Sequence, residues 1–544
     1  MDKNTHWFKD AVFYEVYVRA YRDSNGDGHG DLLGLVEKLD YLQDLGVDCL
    51  WLMPIFPSPL LDDGYDVADF RGIHPDFGNL DDFKLLIAEA HKRSIRIITD
   101  MVMNHTSDQH PWFQEARKDK NSRYRDYYVW SDTDEKFSEA RIIFLDTEKS
   151  NWTWDDQAQQ FYWHRFYSSQ PDLNYDNPEV QQEMLDIMKF WLDLGIDGFR
   201  VDAIPYLYER EGTNGENLPE THAYLKQVRA FFDQHAPEGI LLSEANQWPE
   251  DVRAYFGDGD EMHMAFHFPV MPRIFMALKR QDSTPIRQIL ERTPAIPMNN
   301  QWCTFLRNHD ELTLEMVTEE ERQWMWEQYA PEPRMRLNLG IRRRLAPLLG
   351  NNKVKILLAN SLLFSLPGSP IVYYGDEIGM GDNIWLDDRN GVRTPMQWED
   401  SSNAGFSPAQ QTYAPVITEP PFSYQSVNVA SQQADPNSLY HHIKGMIANR
   451  KNERVFGWGE LAWAQNDHPE QILAYYRQFA DELVLVVNNL SESEQTTRIE
   501  LVEGMLTPAL VDLLSQQTYS PTSGFLELTL PSYSYLWLKP VQPG

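Results

Sequence analysis

Short β-rich runs alternate with amphipathic helical ones through most of this chain. AVFYEVYV from Ala11 is followed by a helical stretch after Asp31, then CLWLMPI from Cys49, NLDDFKLLIAEAHKRS and IRIITDMVMNH. The rhythm returns with NPEVQQEMLDIMKFWLDLG from Asn177, DGFRVDAI, a helix from Pro219, GILLSEA, another helix, HMAFHF, WCTFLRNH and PIVYYGDEIG. Roughly eight such units close a parallel (β/α)8 TIM barrel with its helices outside. Between His105 and about Asn174 the rhythm breaks into Trp-, Tyr- and Asp-rich sequence with little helical period, which reads as a lobe inserted after the third strand. Past about Arg454 the helices cease, and ILAYYRQ, ELVLVVNNL, TRIELV and YLWLKP read as strands of an all-β sandwich. The expected division is a barrel over residues 1–104 and 175–454, a lobe over 105–174 and a C-terminal β domain over 455–544.

Charge and cysteine content narrow the function classes. The 48 Lys and Arg against 82 Asp and Glu leave a formal charge of −34, which repels nucleic acid and anionic membrane surfaces and suits a small neutral substrate. Cys49 and Cys303 both lie in apolar strand-like runs, and MDKNTHWFKD has no apolar signal core. The expectation is a cytoplasmic, disulfide-free protein without a membrane span, compatible with a homo-oligomer. The sequons at Asn104, Asn151 and Asn489 then carry no meaning.

Chemistry in such barrels gathers where strands end. The third candidate strand closes on Asp100 and Asn104-His105, the fourth on Arg200-Val201-Asp202, the fifth on Glu244-Ala245-Asn246 and the seventh on Asn308-His309-Asp310. Alternation would put Arg200, Asp202 and Ile204 on one face of DGFRVDAI, turned toward a substrate. Two carboxylates astride a glycosidic bond can perform retaining glycosyl transfer, one as nucleophile and one as acid and then base. On this reading Arg200 keeps Asp202 ionised, while the apolar LLS before Glu244 raises that group's pKa for acid work.

DMVMNH, QPDLN, GFRVDAI, SEAN and FLRNHD resemble, in order, the strand-end motifs of the α-amylase-type glycoside hydrolase family. Longer stretches, VFYEVYVRAYRDSNGDGHGDLLG, PSPLLDDGYDVADF, YLYEREGTNGENLPETH, LRNHDELTLEMV and GVRTPMQW, are similar to its trehalose synthases, the maltose α-D-glucosyltransferases. The resemblance implies Asp202 as nucleophile, Glu244 as acid/base and Asp310 as a third carboxylate on the sugar hydroxyls. It implies Asp66, His105, Arg200, His309 and Arg393 around the nonreducing glucose, with maltose, trehalose and glucose as the molecules handled. The competing readings are a retaining α-glucosidase that hydrolyses maltose or isomalto-linkages and a non-enzymatic relative. The triad does not separate isomerase from hydrolase, whereas the loop stretches favour the isomerase.

In DSNGDGHGDLLG, Asp23, Asn25, Asp27 and Gly28 match the opening of a calcium loop, but position twelve is Gly34 where an EF-hand has Glu, so Asp31 would complete the site. The resemblance adds the carbonyl of His29. It also implies a second site at Asn104, Asp172 and Glu209 with the carbonyls of Tyr206 and Leu207. Calcium is the expected structural ion, with magnesium the alternative at one site.

Overall fold

A computed structural model describes residues 5–541. Eight parallel strands form a closed barrel: β1 (Phe13–Val16), β2 (Cys49–Leu52), β3 (Arg96–Val102), β4 (Gly198–Asp202), β5 (Ile240–Ser243), β6 (Met264–Phe266), β7 (Gln301–Phe305) and β8 (Ser369–Tyr373). Each pairs with the next in chain order, and β8 returns to β1 with Phe13 opposite Ile371. The β4 residues are all buried, as a strand covered on both faces requires.

Local chemistry sets where the helices begin and end. The helix Leu80–Lys92 starts in a capping box, in which Asn79 accepts from the Asp82 backbone and Asp82 answers to the Asn79 N–H. The helix Pro178–Leu194 stops at Gly195, whose φ of 102° is left-handed, and the chain then turns into β4. At the other end of β4 the strand alternation fails sooner than expected. Ala203 adopts φ 49° and Ile204–Tyr206 forms a 3-10 turn, so Ile204 leaves the face shared by Arg200 and Asp202.

Between β3 and β4 lies a small antiparallel sheet of Trp130–Ser131, Gln160–Trp163 and Trp152–Asp155, with the middle segment central. A helix, Pro111–Lys118, precedes it, although no helical period is evident there. His110 caps it by accepting from the Trp112 N–H, and its two turns are too short to show a period. The bridge His105–Asp172 fastens the far end of this segment to the mouth of β3, and Tyr128–Leu173 ties that end to the segment's own interior.

Beyond residue 459 the chain forms a six-stranded antiparallel sheet with Ile472–Phe479, Glu482–Asn489 and Tyr535–Pro540 at its middle, and a two-stranded sheet, Gln495–Glu500 with Phe525–Leu530. The two share a core that includes Ile472, Leu485, Ile499, Leu526 and Leu538. Helical structure does not cease at Arg454, because one further turn, Val455–Trp458, sets Phe456 against Trp537.

The helix Lys353–Ser365 is buried along Ile356–Ser365, apolar on nearly every side. Its far flank belongs to the C-terminal sheets. Ser361 Oγ accepts from Trp537 Nε1 at 3.0 Å, and Arg477 donates to the Ser365 carbonyl at 2.5 Å. Arg450 donates to the carbonyls of Phe364 and Gly368 at 2.6 and 2.7 Å, so two guanidinium groups cap this helix C-terminus. Cys49 and Cys303 are free and buried. Among the described residues no helix is long and apolar enough to cross a membrane.

Candidate active site

At the C-terminal mouth of the barrel lies a cavity of about 880 Å3, open space at its entrance included. Asp202 from the end of β4, Glu244 just past β5 and the His309-Asp310 pair past β7 line it, with His105 past β3. Arg200, only 1% exposed, stands behind them as a hub. Its guanidinium touches Asp202 Oδ1, lies 2.5 Å from Asp100 Oδ1 and reaches Glu244 Oε1 at 2.8 Å. Asp100 is held from its other side by Trp51 Nε1 at 2.8 Å. The Ala203 N–H donates to Glu244 Oε2 at 3.2 Å, so the left-handed turn that ends β4 also anchors the neighbouring carboxylate.

These surroundings separate three carboxyl groups by charge. Burial raises Asp202 to about 6, with Arg200 opposing it, so the expected influence of Arg200 is present but smaller than desolvation. Burial raises Glu244 further, to about 7, again against Arg200 and with the Asp202 charge adding to the rise. Burial also pushes Asp310 upward, yet His309, Arg389 and Arg393 outweigh it and hold the group well below the ordinary carboxylate range. Near neutrality the site therefore offers an ionised Asp202, a Glu244 that can carry a proton and a fixed Asp310 anion. Asp202 and Glu244 both meet the Arg200 guanidinium and line the same cavity.

Around Asp310 the polar contacts are dense. His309 Nε2 lies 3.0 Å from Asp310 Oδ2 and 2.9 Å from the Tyr65 hydroxyl, and Asp310 Oδ1 accepts from Arg389 at 2.9 Å and Arg393 at 3.1 Å. His105 is kept neutral, lowered to about 4 by burial, with Nε2 3.2 Å from the Tyr65 carbonyl.

An α-amylase catalytic-domain model matches residues 15–331 and 341–459, and a maltogenic amylase C-terminal domain model matches residues 464–537. The chain belongs to the α-amylase family. It is 55% identical to a trehalose synthase of Pimelobacter sp. (strain R48), over 100% of this chain and 97% of that protein. Against the trehalose synthase/amylase TreS of Mycobacterium tuberculosis the identity is 56%, over 98% of this chain and 90% of that one. Among solved structures, the trehalulose synthase MutB from Pseudomonas mesoacidophila MX-45 superposes with a TM-score of 0.79 at 28% identity, covering 98% of this chain and 99% of that one.

In this α-amylase-family barrel two of the residues expected at the sugar, Asp66 and Arg393, are not among those that line the cavity. Asp66 is fully buried and spends its oxygens on Ser58 Oγ, the Leu61 N–H and the Asp62 N–H, bracing the loop instead of lining the cavity. Asp62 lines the cavity wall and accepts from Arg389 at 3.3 Å. Arg393 stands one layer back, donating to the His309 carbonyl at 2.9 Å and pairing with Asp63 and Asp310, while Arg389 lines the cavity. The tandem Asp62-Asp63 and the arginine four residues before Arg393 were the signals available for these positions.

Three loops meet over the entrance. Arg141 donates to Glu216 at 2.8 Å, to Glu315 at 2.8 Å and to the Tyr206 hydroxyl at 3.1 Å, joining the inserted segment to the loops after β4 and β7. Asp146 and Asn338 add a second tie at 2.8 Å. Ile143, Phe144, Phe166, Tyr206 and Phe268 give the cavity an apolar collar.

The two expected cation sites differ in their free oxygens. At the second, the Asn104 Oδ1 and Asp172 Oδ2 atoms are buried without a partner, and Glu209 is bonded only on Oε1, by Trp163 at 2.9 Å. Asp172 is pushed well up by burial and by Glu209, and burial brings Glu209 to about 7. That donor set fits a hard cation, which would supply the missing partner and compensate both carboxylates. Tyr206 and Leu207, in the turn after β4, lie three and two residues before Glu209.

In the first loop every carboxylate oxygen already accepts a hydrogen bond. Asp23 takes the N–H groups of Asn25, Gly26 and Gly28, Asp27 those of His29 and the Asn25 amide, and Asp31 those of Ser24 and Gly34. The His29 ring meets Arg19. Among the described residues no group of three or more His, Cys, Asp and Glu converges as a metal cluster, so a cation here would rely on amide and carbonyl oxygens as well.

Proposed function

We propose that this enzyme interconverts maltose and trehalose by intramolecular glucosyl transfer. Asp202 attacks the anomeric carbon of the nonreducing glucose while Glu244 protonates the departing O4, leaving a glucosyl ester on Asp202 and a free glucose beside it. Asp310, held anionic by His309 and two arginines, accepts hydroxyls of the bound ring. The free glucose then turns to present its O1 hydroxyl, Glu244 takes that proton, and a second displacement restores the α configuration as an α,α-1,1 bond. Return through O4 remakes maltose.

The observation that carries this reading is the Arg141 bridge to Glu216 and Glu315 over the entrance. A hydrolase needs water to replace the departing glucose, whereas an isomerase needs that glucose to rotate without leaving, and a mouth spanned by three loops favours the second. The two synthase relatives, each matched along nearly the whole chain, support the same assignment. A cation at Asn104, Asp172 and Glu209, calcium or magnesium, would tie the inserted segment to the loop after β4 and take no part in bond breaking. A calcium ion at the Asp23–Asp31 loop, a cytoplasmic location in keeping with two reduced buried cysteines, and self-association complete the proposal.

The test supplies unlabelled maltose with excess isotopically labelled glucose. Trehalose should form essentially unlabelled, with free glucose a minor product. Extensive label in trehalose would show exchange with bulk glucose and end the trapped-glucose scheme, and glucose as the main product would move the enzyme to the hydrolases.

A further inference from the structure

Glu15 takes no part in the steps above, yet it is fully buried on β1, where an unpaired carboxylate would cost several kcal/mol. Its Oε1 contacts His309 Nδ1 and accepts from the His309 backbone N–H at 3.4 Å, while its Oε2 has no partner. The other ring nitrogen, Nε2, faces Asp310 Oδ2 at 3.0 Å and the Tyr65 hydroxyl at 2.9 Å. A neutral imidazole has a single N–H. With a carboxylate against each nitrogen, the arrangement is satisfied by two.

The other groups facing this ring agree with a cation there. Asp100 adds negative charge from β3, Trp51 meets the ring edge-on with centroids 5.6 Å apart, and Arg393, paired with Asp63 and Asp310, meets His309 at its backbone carbonyl. Burial alone would lower the imidazole, but Asp310 and Glu15 together lift it to about 9.

We infer that Glu15 is a positioning residue for glucosyl transfer: it holds His309 doubly protonated, so that Nε2–H stays directed at Asp310 and keeps that carboxylate anionic. Glu15 itself lies outside the cavity wall and acts only through His309. The inference rests on the glucosyl-Asp202 reading but not on whether glucose or water accepts the sugar.

The experiment isolates the first half-reaction. In a Glu244→Gln protein, α-glucosyl fluoride needs no acid to leave, so a single-turnover burst of fluoride reports attack by Asp202. The burst should persist to about pH 9 before declining. Adding Glu15→Gln should move that decline at least about one pH unit lower and slow the burst at least about threefold at pH 8.5, with rates converging near pH 6, where His309 protonates unaided. An unmoved limb, or an equal deficit at both pH values, would overturn the role, the second because it marks a merely structural effect. The absence of any burst from Glu244→Gln alone would count against the glucosyl-Asp202 mechanism instead.

Nitrogen-15 histidine labelling of the otherwise unmodified protein decides the matter if the double variant does not fold. The His309 signal, assigned by its loss in His309→Gln, should show two N–H nitrogens near neutral pH. A single neutral tautomer would overturn the inference.

Discussion

Replacing Arg141 by alanine should convert a large part of the isomerase activity into hydrolysis. The side chain makes two 2.8 Å ion pairs, and it is 38% exposed, while its partners Glu216 and Glu315 are 8% and 18% exposed. Such pairs fall between surface bridges, worth about 0–1 kcal/mol, and buried ones, worth about 3–5 kcal/mol to break, so about 1 kcal/mol each is a fair working value after solvent screening. Removing both, and leaving two carboxylates without their shared cation, weakens closure by about 2–3 kcal/mol, a factor of roughly 30–150 in the closed-to-open ratio. The barrel core is untouched, so the melting temperature should fall by only a few degrees. Product analysis from maltose, separating trehalose from glucose, should show the trehalose-to-glucose ratio lower by at least about tenfold, with the maltose cleavage rate reduced far less. A folded Arg141→Ala protein that keeps its product ratio within about twofold would refute the argument that this bridge retains the glucose.

Asp202→Asn should leave the fold intact and lower turnover by several orders of magnitude, because the amide cannot form the glycosyl ester; steady-state rates with circular dichroism check it. The rate of maltose conversion should follow a bell centred near pH 6.5, falling below about 6 as Asp202 takes a proton and above about 7 as Glu244 loses its own, and a flat profile from pH 5 to 8 would contradict these assignments. For Asp172 and Glu209 the native pKa values lie above the unfolded ones, so the cation-free protein binds more protons folded than unfolded and its stability should fall as pH rises from about 4 through 7. The gain in melting temperature on adding calcium to chelator-treated protein should accordingly be larger at pH 7.5 than at 5.5. Asp23→Ala with Asp27→Ala should lower thermal stability and remove the part of calcium's effect that belongs to the first loop, leaving low-temperature activity in place; elemental analysis of protein purified without chelator provides the independent check.

The barrel was legible because its strands and helices impose different apolar periods over some 300 residues, and a register repeated eight times tolerates errors at single boundaries. Asp202, Glu244 and Asp310 were legible as candidates because they follow apolar runs at strand ends, where such a barrel opens onto its cavity, and all three line it. Loop geometry was harder. Asp62 and Asp66 both follow the second strand, and nothing in LLDDGYD says that Asp66 folds back onto the Ser58 hydroxyl and two N–H groups while Asp62 faces the cavity. Arg389 and Arg393 are similarly placed in sequence, and only the packing assigns one to the wall and the other to the layer behind it. Ile204 followed a sound alternation rule until a left-handed residue at Ala203 broke the strand. Arg141, Glu216 and Glu315 come from three separate loops, and their convergence is a tertiary fact with no local signature.

The helix Lys353–Ser365 bears on how far this chain could be shortened. It leads from the seventh barrel strand into the eighth, yet its outer flank is roofed by Trp537 and its terminal carbonyl is met by Arg477, both contributed from beyond residue 459. Cutting the chain after the barrel would turn a helix that is apolar all round out to water and leave its C-terminal end without one of its two cationic caps. The residues after 459 are therefore the second wall of a building whose first wall cannot stand without it. A truncated catalytic fragment should aggregate, and a smaller catalyst would have to be made by redesigning the outward face of that one helix.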